Sequence, residues 1–118
     1  MNRLTGFLAV GLLLTTSGVP AQSIGDVEAG KAKSQSCAAC HGAKGASDNS
    51  GFPMLAGQHA DYLLHALKAY KSGDRQNAIM NGQVAALSEE DMRDLAAYFA
   101  AQSSAVQTLQ RRSANSDG

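Results

Sequence analysis

Cys37-Ala38-Ala39-Cys40-His41 is the stretch on which the reading of this 118-residue chain turns. Two thiols three positions apart, with an imidazole directly after the second, make the spacing C-x-x-C-H, the attachment signature of c-type haem. The reason is mechanical. Two thiols so spaced add to the two vinyl groups on one edge of a porphyrin and form thioethers. The adjacent histidine then lies beneath the ring and offers a nitrogen to the iron. Three other uses compete for these residues. A thioredoxin-like redox pair belongs in a βαβ context, and no segment here alternates apolar and polar residues as a strand does. A structural zinc site takes four ligands, and the two cysteines and three histidines include no second close pair. A plain Cys37–Cys40 disulfide suits an oxidising compartment. Covalent haem is the expected occupant.

Composition supports a large apolar guest. The length allows one small domain. Aromatic residues make up only 5%, there is no Trp, and there are 12 Gly, so the chain has little with which to fill a core. A flat apolar cofactor supplies the missing bulk. Ten Lys+Arg balance ten Asp+Glu. That balance argues against a nucleic-acid partner, which needs a basic footprint, and against an acidic disordered tail.

Residues 1–21 read as a secretory signal peptide. Arg3 supplies the positive start, Leu4 to Leu14 is apolar without a charge, and Val19-Pro20-Ala21 offers small residues for cleavage before Gln22. A retained membrane anchor is the competing reading, but the uncharged stretch falls short of the ~20 apolar residues a spanning helix needs. The expected destination is the periplasm, where bacteria attach haem to exported apoproteins, with no stable membrane insertion after cleavage. Residues 22–102 are the expected haem-binding domain, and 103–118 a polar, disordered tail without an apolar face.

The pattern between those limits is all-α, with three main helices. Asp26 caps a helix through Val27 to Lys33, with acidic residues where the helix dipole favours them. Asp61 to Ser72 brings Leu63, Leu64, Leu67 and Tyr70 to helical spacing and stops at Gly73. Ser88-Glu89-Glu90-Asp91 is a capping signal for a helix to about Gln102 with Met92, Leu95, Ala96 and Phe99 on one face. Asp74 to Met80 reads as a short helical turn, and Asn81-Gly82-Gln83 as the loop after it. From Gly42 to Gly57, four glycines and Pro53 spell a loop. A loop that long needs a structural or functional reason, and wrapping a rigid ligand supplies one.

An iron that shuttles electrons wants a sixth ligand. Met92 belongs to the apolar face of the last helix and reads as core. His59 and His65, weighed as a bis-His ligand, suit surface or capping roles better. Met54 follows His41 closely in the chain and is the fallback. Met80 lies far enough along for the chain to pass around the ring edge. Its thioether is a soft, neutral ligand that favours Fe(II). Lys31, Lys33, Lys44, Lys68 and Lys71 form either a solvated surface or a docking face, the former being the plainer reading.

Together, Cys37-Ala38-Ala39-Cys40-His41-Gly42, Phe52-Pro53-Met54-Leu55-Ala56-Gly57-Gln58, Lys71-Ser72-Gly73-Asp74-Arg75, Met80, and Leu87-Ser88-Glu89-Glu90-Asp91 through Leu95-Ala96-Ala97-Tyr98-Phe99 resemble a class I c-type cytochrome over about residues 25–102. The likeness is to the small bacterial monohaem type, to one half of periplasmic dihaem cytochromes, and to the cytochrome subunit of flavocytochrome c sulfide dehydrogenase. Met54 departs from the family pattern, where many relatives carry Lys. The resemblance implies one covalent haem c held by thioethers at Cys37 and Cys40, with His41 and Met80 as iron ligands. It implies a backbone carbonyl of the Pro53 region accepting the His41 N–H, and a crossing of first and last helices at Gly30 against Tyr98 or Phe99. With both axial positions filled, the implied work is one-electron transfer, not enzyme catalysis. The partners would be redox proteins, docking weakly to a monomer or to the small subunit of a heterodimer. The alternative is an electron-accepting subunit of a periplasmic dehydrogenase, with or without flavin.

Overall fold

Asp26 starts the first helix as its position suggests: its carboxylate accepts the Ala29 N–H at 2.7 Å and satisfies one of the free donors of the first turn. The computed structural model describes residues 23–103. Five helices follow in order: α1 Val27–Lys33, α2 Gln35–His41, α3 Ala60–Ser72, α4 Ala78–Val84 and α5 Glu89–Ala100. Among the described residues there is no strand, and the fold is all-α. The expected signal peptide lies outside the described residues, as does the expected tail beyond residue 103.

Helix α5 is the spine. Its capping box is complete: Ser88 Oγ accepts the Asp91 N–H at 3.0 Å, and the Asp91 carboxylate accepts the Ser88 N–H at 2.9 Å. From Asp94 to Phe99 every residue is buried. Leu95, Ala96, Tyr98 and Phe99 join Leu63 of α3 in the core, with Leu64 and Leu67 packed against them. Met92 is buried too, in the core role expected of it.

Helix α1 crosses α5 from another side, and Gly30 makes the crossing possible. A Cβ there would overlap the Asp94 carbonyl oxygen and sit 2.7 Å from Tyr98 Cβ, so only glycine lets the two backbones approach this closely. Tyr98, and not Phe99, is therefore the aromatic partner; Phe99 lies instead against Gly45. Polar ties reinforce the crossing. Lys33 Nζ bridges Asp94 at 2.7 Å and Asp91 at 2.8 Å, and the other Asp94 oxygen accepts the Asp26 N–H at 2.8 Å. These contacts hold the Asp91 carboxyl down to about 2, the Lys33 hydrogen bond being the largest cause, and also lower that of Asp94.

Beyond the three main helices, the haem motif itself is helical, as α2, which with α4 makes five helices among the described residues. Ser34 both ends α1 and begins α2, and its hydroxyl donates back to Lys31 O at 2.8 Å, so it gives α2 no side-chain cap. One expectation needs correction: the helix after α3 starts later and runs further than expected. Asp74 to Asn77 is not helical, and Asn81, Gly82 and Gln83 belong to α4. Asn77 is its cap, accepting the N–H groups of Ile79 and Met80 at 3.1 Å each. Helix α3 ends at Gly73 as anticipated.

Candidate haem site

Helix α2 sets Cys37, Cys40 and His41 along one cavity wall. Positions three apart on a helix share a face, so both thiols present to the same edge of whatever fills the space. The chain turns sharply away after His41 because Gly42 adopts a left-handed φ of 84°.

The long loop then returns behind the imidazole. It is tied down at Gly45, whose carbonyl accepts the N–H groups of Leu55 at 2.7 Å and Ala56 at 3.1 Å. Two further bonds fasten it to α5: Tyr98 Oη donates to Ala43 O at 3.0 Å, and the Gly57 N–H donates to Phe99 O at 3.0 Å. So held, Pro53 presents its carbonyl to His41 Nδ1 at 2.8 Å. A carbonyl only accepts, so Nδ1 carries a proton, and in the neutral imidazole Nε2 keeps its lone pair. Phe52 meets the same ring edge-on, with centroids 6.1 Å apart. His41 is buried, and the Pro53 carbonyl holds its ring in one orientation, as the far ring nitrogen of a metal-ligating histidine is commonly held.

The cavity in front of His41 has a volume of about 470 Å³, in the range of cofactor sites. Its walls are largely apolar: Leu63 and Leu67 from α3 face Leu95, Ala96 and Phe99 from α5. Met80, from the first turn of α4, and Met54, from the loop, both line it. His59 and His65 do not and are exposed. Paired thiols, an oriented imidazole and an apolar slot fit a covalent haem.

The competing uses of the motif do not fit. Cys37 and Cys40 are both free thiols. Burial pushes the Cys37 thiol above its ordinary pKa, whereas a thioredoxin-type nucleophile needs a depressed one. Among the described residues no three His, Cys, Asp or Glu side chains gather as a metal cluster. Of the five lysines considered for docking, Lys33 is bound to Asp91 and Asp94, Lys68 pairs with Glu89 at 3.4 Å, and Lys71 donates to Leu87 O.

Residues 27–103 match the family model described as Cytochrome c. The chain belongs to the cytochrome c family. Cytochrome c4 of Pseudomonas aeruginosa (strain PAO1) is 46% identical over 101 residues, covering 84% of this chain and 50% of the relative. Cytochrome c-554(548) of Halomonas halodenitrificans is 42% identical over 81 residues, covering 66% of this chain and 98% of the relative. The solved thiosulfate dehydrogenase of Marichromatium purpuratum matches with a TM-score of 0.65 at 35% identity, over 74% of this chain and 21% of that one. The chain thus spans half of the first relative and nearly all of the second. Its fold is that of a class I cytochrome c, and the cofactor of the C-x-x-C-H motif is one haem c.

Sequence reasoning missed two contributors to the site. Asn77 and Asn81 organise the segment that carries Met80. Asn77 directly before an apolar run was a cap signal in plain view. Asn81 gave no signal for this role, because the Tyr70 and Arg75 carbonyls to which it donates are not marked by any local pattern.

Proposed function

We propose that this chain is a periplasmic one-electron carrier whose haem is clamped by Cys37 and Cys40, with His41 Nε2 and Met80 Sδ as the axial ligands. When bound, the group supplies the Fe(III)/Fe(II) couple. The protein's part is to hold both ligands still, so that the iron changes charge with little rearrangement and no open site for substrate.

The His41–Pro53 hydrogen bond carries this reading. It aims Nε2 into the cavity and makes the imidazole a stronger donor. It also bears on the choice of methionine. Met54 is bonded directly to Pro53, whose carbonyl sits at the Nδ1 end of the ring, so Met54 starts from the His41 side. Met80 enters from α4, which packs on α3, and is the better partner for the opposite face. Met54, Tyr62 and Ile79 are three of the four large apolar side chains exposed among the described residues, and all three line the cavity. An apolar rim there supports weak, transient docking of redox proteins over a small interface.

The test is the ferric holoprotein with Met80→Ala and Met54→Ala. Met80→Ala should abolish the long-wavelength thioether–Fe(III) absorption band and lower the potential by a sizeable part of the roughly 0.8 V that axial ligands govern. Met54→Ala should keep the band. A band that survives Met80→Ala overturns the assignment.

The likeness to a thiosulfate dehydrogenase favours one second reading, an electron-accepting subunit of a periplasmic dehydrogenase, with or without flavin. Size exclusion of a native extract separates the two. A lone small peak supports the carrier, and co-elution with a larger subunit supports the subunit.

A further inference from the structure

We infer that Asn81 is a positioning residue that latches Met80 in place, and that its side-chain amide sets how readily an outside ligand displaces that methionine. The inference rests on Met80 being the distal ligand.

Helix α4 is a poor anchor by itself. It has seven residues and buries only Val84, and helices of that length do not persist without tertiary support. Gly82 weakens it further, with nothing within 4 Å of where its Cβ would lie. Yet α4 carries Met80 in its first turn.

The missing support comes from the next residue. Asn81 Oδ1 accepts the Asn77 N–H at 2.8 Å, just ahead of the helix. Asn81 Nδ2 donates to Tyr70 O at 2.6 Å and to Arg75 O at 3.1 Å. One amide thus joins the last turns of α3, the connecting loop and the start of α4. Both of its donors and its carbonyl are used. Helix α3 is packed on α5, so the Tyr70 bond connects the methionine segment to the rigid part of the fold. Asn77 completes the frame by accepting the N–H of Met80 itself.

The functional consequence follows from a two-state argument. An added imidazole reaches the iron only in molecules whose Met80 has swung away, so its apparent affinity scales with the population of that open state. Removing the Asn81 amide leaves the Tyr70 and Arg75 carbonyls without this donor and frees the Asn77 N–H. The open state should rise about tenfold.

The experiment is an imidazole titration of ferric holoprotein, read at the thioether–iron band, for wild type, Asn81→Ala, Asn81→Asp and Asp94→Asn. Asn81→Asp keeps the acceptor toward Asn77 and loses both donors. Asp94→Asn weakens the α1–α5 tie at a residue that does not line the cavity and reports what general destabilisation alone does. Imidazole should bind about tenfold tighter to both Asn81 variants, and as in wild type to Asp94→Asn. Affinities for both Asn81 variants within twofold of wild type would overturn the inference, as would an equal gain in Asp94→Asn. Absence of the band from wild type, or its survival in Met80→Ala, would instead overturn the ligand assignment beneath it.

Discussion

Gly30→Ala tests the α1–α5 crossing with the smallest possible change. In an isolated helix the substitution would help by about 0.5–1 kcal/mol, because alanine loses less backbone freedom than glycine. Here the new methyl group overlaps the Asp94 carbonyl oxygen and sits 2.7 Å from Tyr98 Cβ. Neither obstacle is the free end of a flexible side chain, so the helices themselves must part. Overpacking of a close contact costs about 1–3 kcal/mol and more where backbone moves, which puts this site at the upper end. Parting the helices also stretches the Lys33 pairs with Asp91 and Asp94 and the Asp26–Asp94 bond. Subtracting the helix-propensity gain leaves a net loss of about 2 kcal/mol. For a domain of this size that lowers the melting temperature by about 8–16 °C. Thermal unfolding of ferric holoprotein, followed by far-ultraviolet circular dichroism at neutral pH, measures it directly. A Gly30→Ala variant that melts at or above the wild-type temperature refutes the reasoning.

Two further outcomes are expected. Tyr98→Phe removes the hydroxyl that holds Ala43 O at 3.0 Å and should cost about 1 kcal/mol with the haem spectrum unchanged; denaturant melts that superimpose on wild type would count against it. The acid limb of stability should carry the signature of Asp91, held down to about 2 by Lys33 first and Ser88 next. Its ordinary value is about 3.9, so the unfolded chain takes up the proton first as pH falls. The contribution is full above about pH 4 and lost on the way to about pH 2. The stability gap between wild type and Asp91→Asn should therefore close across that window in urea titrations, and a gap that is constant with pH would contradict it.

How much was legible in the sequence differs by element. The caps at Asp26 and Ser88 and the stop at Gly73 act through neighbours within a few residues, so local reading placed α1, α3 and α5 within a residue or two. Helix α2 escaped because QSCAACH has neither an apolar stripe nor a capping side chain, and Ser34 is spent on α1. Helix α4 was misplaced because Asn81-Gly82 carries a turn signature, which Asn81's bonds to Tyr70 and Arg75 override. The thiols and His41 stood out, since covalent chemistry demands a fixed spacing. The Pro53 carbonyl was anticipated from family resemblance alone. No local pattern reveals a backbone group that acts through the path of a sixteen-residue loop.

The shortage of large side chains now has a structural meaning. Leu63, Leu95, Ala96 and Phe99 belong both to the core and to the cavity wall. One face of the core would therefore be the surface that receives the cofactor, and among the described residues the buried core cluster and the cavity wall share these side chains. The helices that bring the chemistry hang at the edges of this arrangement: α2 packs on α1, and α4 packs on α3. A group held by thioethers on α2 and by a thioether ligand on α4 would join the two edges across the core. Contacts that a bound group makes only in the folded state add to its stability, and a covalent clamp would keep the group at hand to make them. The ties that complete the fold would then be the same ties that keep the iron's two ligands fixed as its charge changes. On this reading the scarcity of aromatics and the low reorganisation wanted of an electron carrier have one origin.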